Sequence, residues 1–201
     1  MKLYYSPTSP FVAKVLIVAH ECSLIDKIEC VDTKVTPGNP NLEYSSQNPL
    51  RQIPALMTDD GVMIYDSFVI CDYLIRLANN ETLLPASGPE RTKVLNMYAL
   101  CNGATERAVQ TRYETFARPD QFRWPEMIDD NFDRIKGTLA LLEDNVKAFD
   151  GPFDISEAAF VALLRYLDFR FADMDWRTNY PKLVEPFESL NEMGCVQAAY
   201  A

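Results

Sequence analysis

The chain has 201 residues, 48% hydrophobic and 24% charged, with 19 basic against 29 acidic side chains and a net charge of −10. That is enough apolar material for one large or two small globular domains, and it excludes a disordered chain. An acidic surface with no local basic patch gives no reason to expect nucleic acid, and no apolar run approaches the ~20 residues that cross a bilayer.

Taken in chain order, Lys2-Leu3-Tyr4-Tyr5 reads as a strand. Ser6-Pro7-Thr8-Ser9-Pro10 is a turn that runs into a helix start, with Ser9 at the cap and Pro10 at the first helical position. Phe11 to Cys22 carries apolar residues at helical spacing, and Lys27 to Asp32 reads as a second strand. Thr36 to Ser46, rich in Pro, Gly, Asn and Ser, reads as loop with room for one helical turn. Ile53 to Met57 and Val62 to Tyr65 flank Asp59-Asp60-Gly61, a hairpin pattern. Ser67 then opens a helix as its cap, with Phe68, Ile70, Cys71, Leu74, Ile75 and Leu77 on the buried side.

Beyond Leu84 every strong pattern is helical. Pro89 to Arg118 is one long helix, and Pro125 to Ala148 is another with Ile128, Phe132, Ile135, Leu139 and Leu142 on one stripe. Asp154-Ile155-Ser156-Glu157 has capping-box spacing before the apolar run Ala158 to Leu167. Tyr180 to Met193 and Cys195 to Tyr200 close the chain with short helices. The order predicts an α/β module over residues 1–78, a linker over 79–85 and an all-α module over 86–201. The opening residues Met1 to Tyr5 lack the apolar core of a signal peptide, so a cytoplasmic location without membrane association is expected.

Five scattered cysteines (Cys22, Cys30, Cys71, Cys101 and Cys195) form no CxxC pair and no metal-ligand spacing. The single histidine, His20, lies in an apolar helical run and reads as structural. Neither a metal site nor a histidine base is expected.

Three loops of the α/β half carry residues suited to chemistry. Ser9 at the first helix start, Gln52-Ile53-Pro54 before the third strand and Asp66-Ser67 before the next helix each have an ordinary structural reading as cap, edge proline or dipole partner. Pro54 can also take a cis bond that exposes the Ile53 backbone to an extended ligand. Taken together, Ser9-Pro10-Phe11, Gln52-Ile53-Pro54-Ala55-Leu56, Asp66-Ser67 and the helical second half resemble the glutathione S-transferase family. The late stretch Phe169 to Arg177 and Asn179-Tyr180-Pro181 resembles bacterial members whose first helix begins Thr-Ser-Pro-Phe.

The resemblance implies a thioredoxin-like domain followed by a helical domain, usually as a homodimer paired through the long helix around Lys93 to Tyr113. It implies glutathione as co-substrate, held by the Ile53 backbone beside Pro54, by Gln52, by Asp66 on the α-ammonium and by Ser67 on the γ-glutamyl carboxylate. Lys34 is a candidate for the glycyl carboxylate. The thiol then falls beside Ser9, with Tyr5, Thr8 and Ser6 as alternative hydroxyls; Tyr5 has the register of the tyrosine-using branches. A small hydrophobic electrophile would meet Phe11, Asn102, Glu106, Tyr113 and Trp124. The implied activity is glutathione transfer in detoxification. A non-catalytic glutathione-binding or regulatory protein is the alternative, and a thiol reductase is disfavoured because Ser9, not cysteine, stands at the helix start.

Overall fold

Leu3, flanked by more exposed neighbours, is fully buried at the centre of strand β1 (Lys2–Tyr5) in a computed structural model that describes residues 1–201. From β1 the chain passes through helix α1 (Pro10–Glu21) to β2 (Glu29–Asp32), helix α2 (Leu42–Gln47), strands β3 (Ala55–Met57) and β4 (Met63–Ile64), and helix α3 (Ser67–Ala78). The sheet order is β2-β1-β3-β4. β1 runs parallel to β2, with Leu3 opposite Cys30, and antiparallel to β3, with Leu3 opposite Leu56. β3 and β4 are antiparallel, with Leu56 opposite Ile64. α1 and α3 pack together, burying Val12, Val15 and Ile17 of the one and Ile70, Cys71 and Leu74 of the other.

The rest of the chain is helical: α4 (Gly88–Phe116), α5 (Pro125–Asp144), α6 (Ile155–Arg170), α7 (Trp176–Asn179), α8 (Val184–Asn191) and α9 (Gly194–Ala199). Two compact units result. One comprises Met1–Ala86 with Gly194–Ala201, and the other Ser87–Met193. In the second, α6 is the hub: it packs against α4 and α8, and its residues from Ile155 to Leu164 are buried without a break. Its start is the capping box that the sequence predicts, Asp154 accepting from the Ser156 and Glu157 amides at 2.7 and 3.4 Å while Glu157 accepts from the Asp154 amide at 2.8 Å. No helix is long and apolar enough to cross a membrane.

The structure corrects several boundaries. The second strand begins at Glu29, because Ile25–Lys27 makes a turn of 3-10 helix first. The loop after β2 holds a capped helix, α2, whose Asn41 side chain accepts from the Tyr44 amide at 3.1 Å. Pro125 to Ala148 is interrupted: α5 stops at Asp144 and a 3-10 turn covers Val146–Phe149. Leu77, expected on the buried side of α3, is 48% exposed in that helix's last turn.

Candidate active site

Antiparallel pairing decides which loops meet. β1 ends, β3 begins and β4 ends on the same edge of the sheet, since β3 runs against both of its neighbours. The segments after β1, before β3 and after β4 therefore share that edge, and β2, parallel to β1, ends there too just before Lys34. Ser9, Gln52-Ile53-Pro54, Asp66-Ser67 and Lys34 all belong to these segments.

Ser9 caps α1 as the sequence predicts, its Oγ accepting from the Val12 amide at a long 3.4 Å, with Pro10 in the first turn. No protein acceptor takes the Ser9 hydroxyl proton. Ser6 and Thr8, by contrast, face each other with their hydroxyl oxygens 3.3 Å apart. Tyr5 sits half-buried in β1, on the same face as Leu3.

The Ile53–Pro54 bond is cis, and so is Tyr65–Asp66. Ahead of Ile53 lies a polar knot that the sequence reading missed. Asn48, fully buried, donates from Nδ2 to the Tyr44 hydroxyl at 2.7 Å and to the Gln52 carbonyl at 2.9 Å. Its Oδ1 accepts from the Leu50 amide at 3.0 Å. Tyr44 donates to the same Gln52 carbonyl at 2.5 Å and packs against Tyr4 with ring centroids 5.0 Å apart and the planes tilted by 42°. Burial raises the Tyr44 phenol above its ordinary value, so it keeps the proton that it donates. Every polar atom of the Asn48 side chain is satisfied, as a buried amide requires. The recoverable sequence sign was Asn48-Pro49, a turn-initiating pair.

At the third segment the cap is Asp66 and not Ser67. The Asp66 Oδ1 accepts from the Phe68 and Val69 amides at 3.0 and 3.4 Å, while Ser67 is the first helical residue and is buried. The physical reason is reach: a cap side chain must come from the residue before the first turn to face its amides. Asp66 therefore occupies two of the amides that a ligand carboxylate would use, leaving those of the first turn that it does not bond. Its other oxygen, Oδ2, takes part in neither bond.

Lys34 is exposed just past β2. Phe11 lies in the first turn of α1, under the Lys14 ammonium at 5.2 Å. Asn102, Glu106 and Tyr113 share one face of α4, and Asn102 donates to Glu106 at 2.8 Å. Trp124 precedes α5, its ring exposed and its amide donating to Glu114 at 2.9 Å. All five cysteines are free. Burial pushes Cys22 and Cys195 up to about 11 and Cys71 to about 12, with Glu21 adding to the first two. At neutral pH such thiols are thiolate to the extent of roughly one part in ten thousand or less.

The family model for the glutathione S-transferase N-terminal domain matches residues 8–77. A glutathione transferase family member from Pseudomonas fluorescens Pf-5, solved with bound glutathione, is 33% identical; the match covers 98% of this chain and 97% of that one, with a TM-score of 0.95. A structure with bound S-(propanoic acid)-glutathione from the same source is 32% identical, covering 100% and 98% of the two chains with a TM-score of 0.90. The uncharacterized GST-like protein YibF of Escherichia coli is 28% identical over 200 residues, or 94% of this chain and 93% of its own. Together with the sheet and the loops gathered at its edge, these similarities establish that the chain belongs to the glutathione transferase family.

Proposed function

We propose that this protein is a serine-type glutathione transferase, in which Ser9 stabilises the thiolate of bound glutathione for attack on a small hydrophobic electrophile. The observation that carries this reading is the Ser9 hydroxyl at the start of α1, whose proton no protein group accepts. Glutathione is an anionic tripeptide. Asp66 Oδ2 suits its α-ammonium, the Ser67 amide and hydroxyl suit the γ-glutamyl carboxylate, and the Ile53 backbone suits the cysteinyl amide in strand-like pairing. Lys34 and Gln52 serve the glycyl end.

Magnitudes decide whether Ser9 suffices. A free thiol has a pKa near ~8.5, and lowering it by about two units takes roughly 2.7 kcal/mol of preference for the thiolate. A hydrogen bond to a charged group supplies about 1.5–3 kcal/mol, and a helix N-terminus ~0.3–1 more. No general base is needed. Thiol reduction is a poorer fit, because three of the chain's thiols are held protonated by burial. For the second substrate we propose Asn102, Glu106 and Tyr113 on α4, with Trp124 as a further candidate on the same unit and Phe11 as a separate candidate on the first unit. We also place the protein in the cytoplasm as a homodimer paired through α4.

The test is the pKa of glutathione's thiol in the complex, read from thiolate absorbance in the ultraviolet. Ser9→Ala keeps glutathione binding and returns that pKa towards the free value. A low pKa retained in Ser9→Ala but lost in Tyr5→Phe transfers the role to the tyrosine. Glutathione binding with no low-pKa thiol and no turnover of any electrophile supports the non-catalytic reading instead.

A further inference from the structure

Helix α5 begins without a side-chain cap of its own. Trp124 stands just before its first turn, and an indole, a donor only, has nothing to offer the amides there. Trp124 is nevertheless fixed from three sides. Pro125 restricts it to extended backbone, and it lies at φ −110° and ψ 93°. Its carbonyl accepts from the Met127 and Ile128 amides at 3.1 and 3.2 Å. Its own amide donates to Glu114 Oε1 at 2.9 Å, a carboxylate ten residues earlier in the last turn of α4.

Glu114 is itself held. Its Oε2 accepts from Arg118 Nε at 2.7 Å. That bond, with the one from the Trp124 amide, keeps the Glu114 carboxyl below the usual carboxylate range, so both bonds are made to a charged acceptor at neutral pH. Arg123 laces the same corner, donating from Nε to the Arg118 carbonyl at 3.3 Å and pairing with Asp120 at 2.7 Å. The backbone so constrained carries rings that face solvent: Trp124 is 58% and Phe122 64% exposed. A large apolar ring in water on a fixed backbone has area to bury against a ligand and little ordering left to lose.

We propose that Glu114 is a positioning residue for the second substrate: by holding the Trp124 amide it sets the direction in which the indole leaves the chain, towards the apolar part of the electrophile. This rests on the transferase reading, which makes Trp124 a candidate for that wall. Glu114 acts through the backbone of Trp124 and touches no reacting atom.

Calorimetry on the full chain with glutathione and S-hexylglutathione tests it, because the hexyl chain stands in for the apolar part of the electrophile and no turnover is needed. Glu114→Ala weakens S-hexylglutathione about fivefold and leaves glutathione within about twofold. Glu114→Gln, which keeps an acceptor for the Trp124 amide, retains most of that affinity. A second measurement uses the unaltered protein. Of the two tryptophans Trp176 is buried, so quenching of fluorescence by iodide reports Trp124. S-hexylglutathione shields Trp124 from iodide, and glutathione alone does not. An unshielded Trp124, equal loss of both ligands in Glu114→Ala, or unchanged S-hexylglutathione affinity in that variant overturns the proposal, while glutathione binding by the unaltered protein keeps the transferase reading. No glutathione binding by the unaltered protein overturns that reading, and this proposal with it. The shielding comparison involves no substitution and decides even if a variant fails to fold.

Discussion

Arg51 is an arginine in a backbone conformation that favours glycine, with φ of 54° in the left-handed region. It closes the turn that Asn48 begins, its amide donating to the Asn48 carbonyl at 3.1 Å, and its side chain is exposed. A non-glycine residue there costs about 1–2 kcal/mol, partly offset in a glycine variant by the freer unfolded chain. Arg51→Gly therefore stabilises the protein by about 0.5–1 kcal/mol in urea denaturation. No gain would mean that the arginine side chain makes a compensating contribution. The neighbouring Asn48 predicts the opposite. Asn48→Ala removes two donors and an acceptor from a site that water does not reach, and leaves the Gln52 carbonyl to Tyr44 alone. We expect glutathione affinity in calorimetry to fall about tenfold or more, because Gln52 and Ile53 lose their support. Asn48→Asp, which keeps the volume but loses the donors, should do the same, and Tyr44→Phe should do less. Normal affinity in Asn48→Asp would reduce the knot to a packing device.

Helix α6 shows how far local pattern specifies an element, and where it stops. Asp154 and Glu157 are readable as a capping box because the four-residue spacing is the whole mechanism. What spacing does not reveal is that Glu157 is 3% exposed, with burial lifting its carboxyl from 4.5 to about 8 despite the Asp154 amide. The folded protein therefore holds a proton that the unfolded chain releases, between roughly pH 4.5 and 8. In that window the folded state binds more protons, so stability falls as pH rises. Glu157→Gln keeps an acceptor for the Asp154 amide and removes the titration. The variant's melting temperature should decline less than the native protein's from pH 5 to pH 8, and parallel declines would show that Glu157 is ionised in the fold. The same contrast runs through the site. Ser9-Pro10 and Ile53-Pro54 are legible because a proline or a cap fixes the local backbone. Pattern puts Lys27 in the strand and Leu77 on the buried face, and the fold differs at both because strand entry and burial are settled by partners distant in sequence. The cap reads as Ser67 and lies at Asp66, since adjacent serine and aspartate both favour that position and only the backbone separates them.

Across the whole chain, the boundary that sequence does not announce is the return of the last eight residues to the first unit. Gly194–Ala199 is a six-residue helix, too short to form in isolation. It exists because it docks on α1, burying Val196 completely and placing the Cys195 thiol against Glu21. The face of α1 that it covers belongs to the same helix that Ser9 caps, so support at one end of α1 bears on the site at the other. Val196→Ala removes two buried methyl groups and should cost about 2 kcal/mol, from ~0.8 kcal/mol for each group plus the cavity left behind. Ending the chain at Met193 should cost more, lowering the urea midpoint and raising the binding of an apolar dye as α1 is uncovered. Glutathione should then be released at a lower urea concentration than in the complete chain. A shortened protein with the native midpoint and native glutathione affinity would show that α9 is a passenger, and that α1 is held by α3 and the sheet alone.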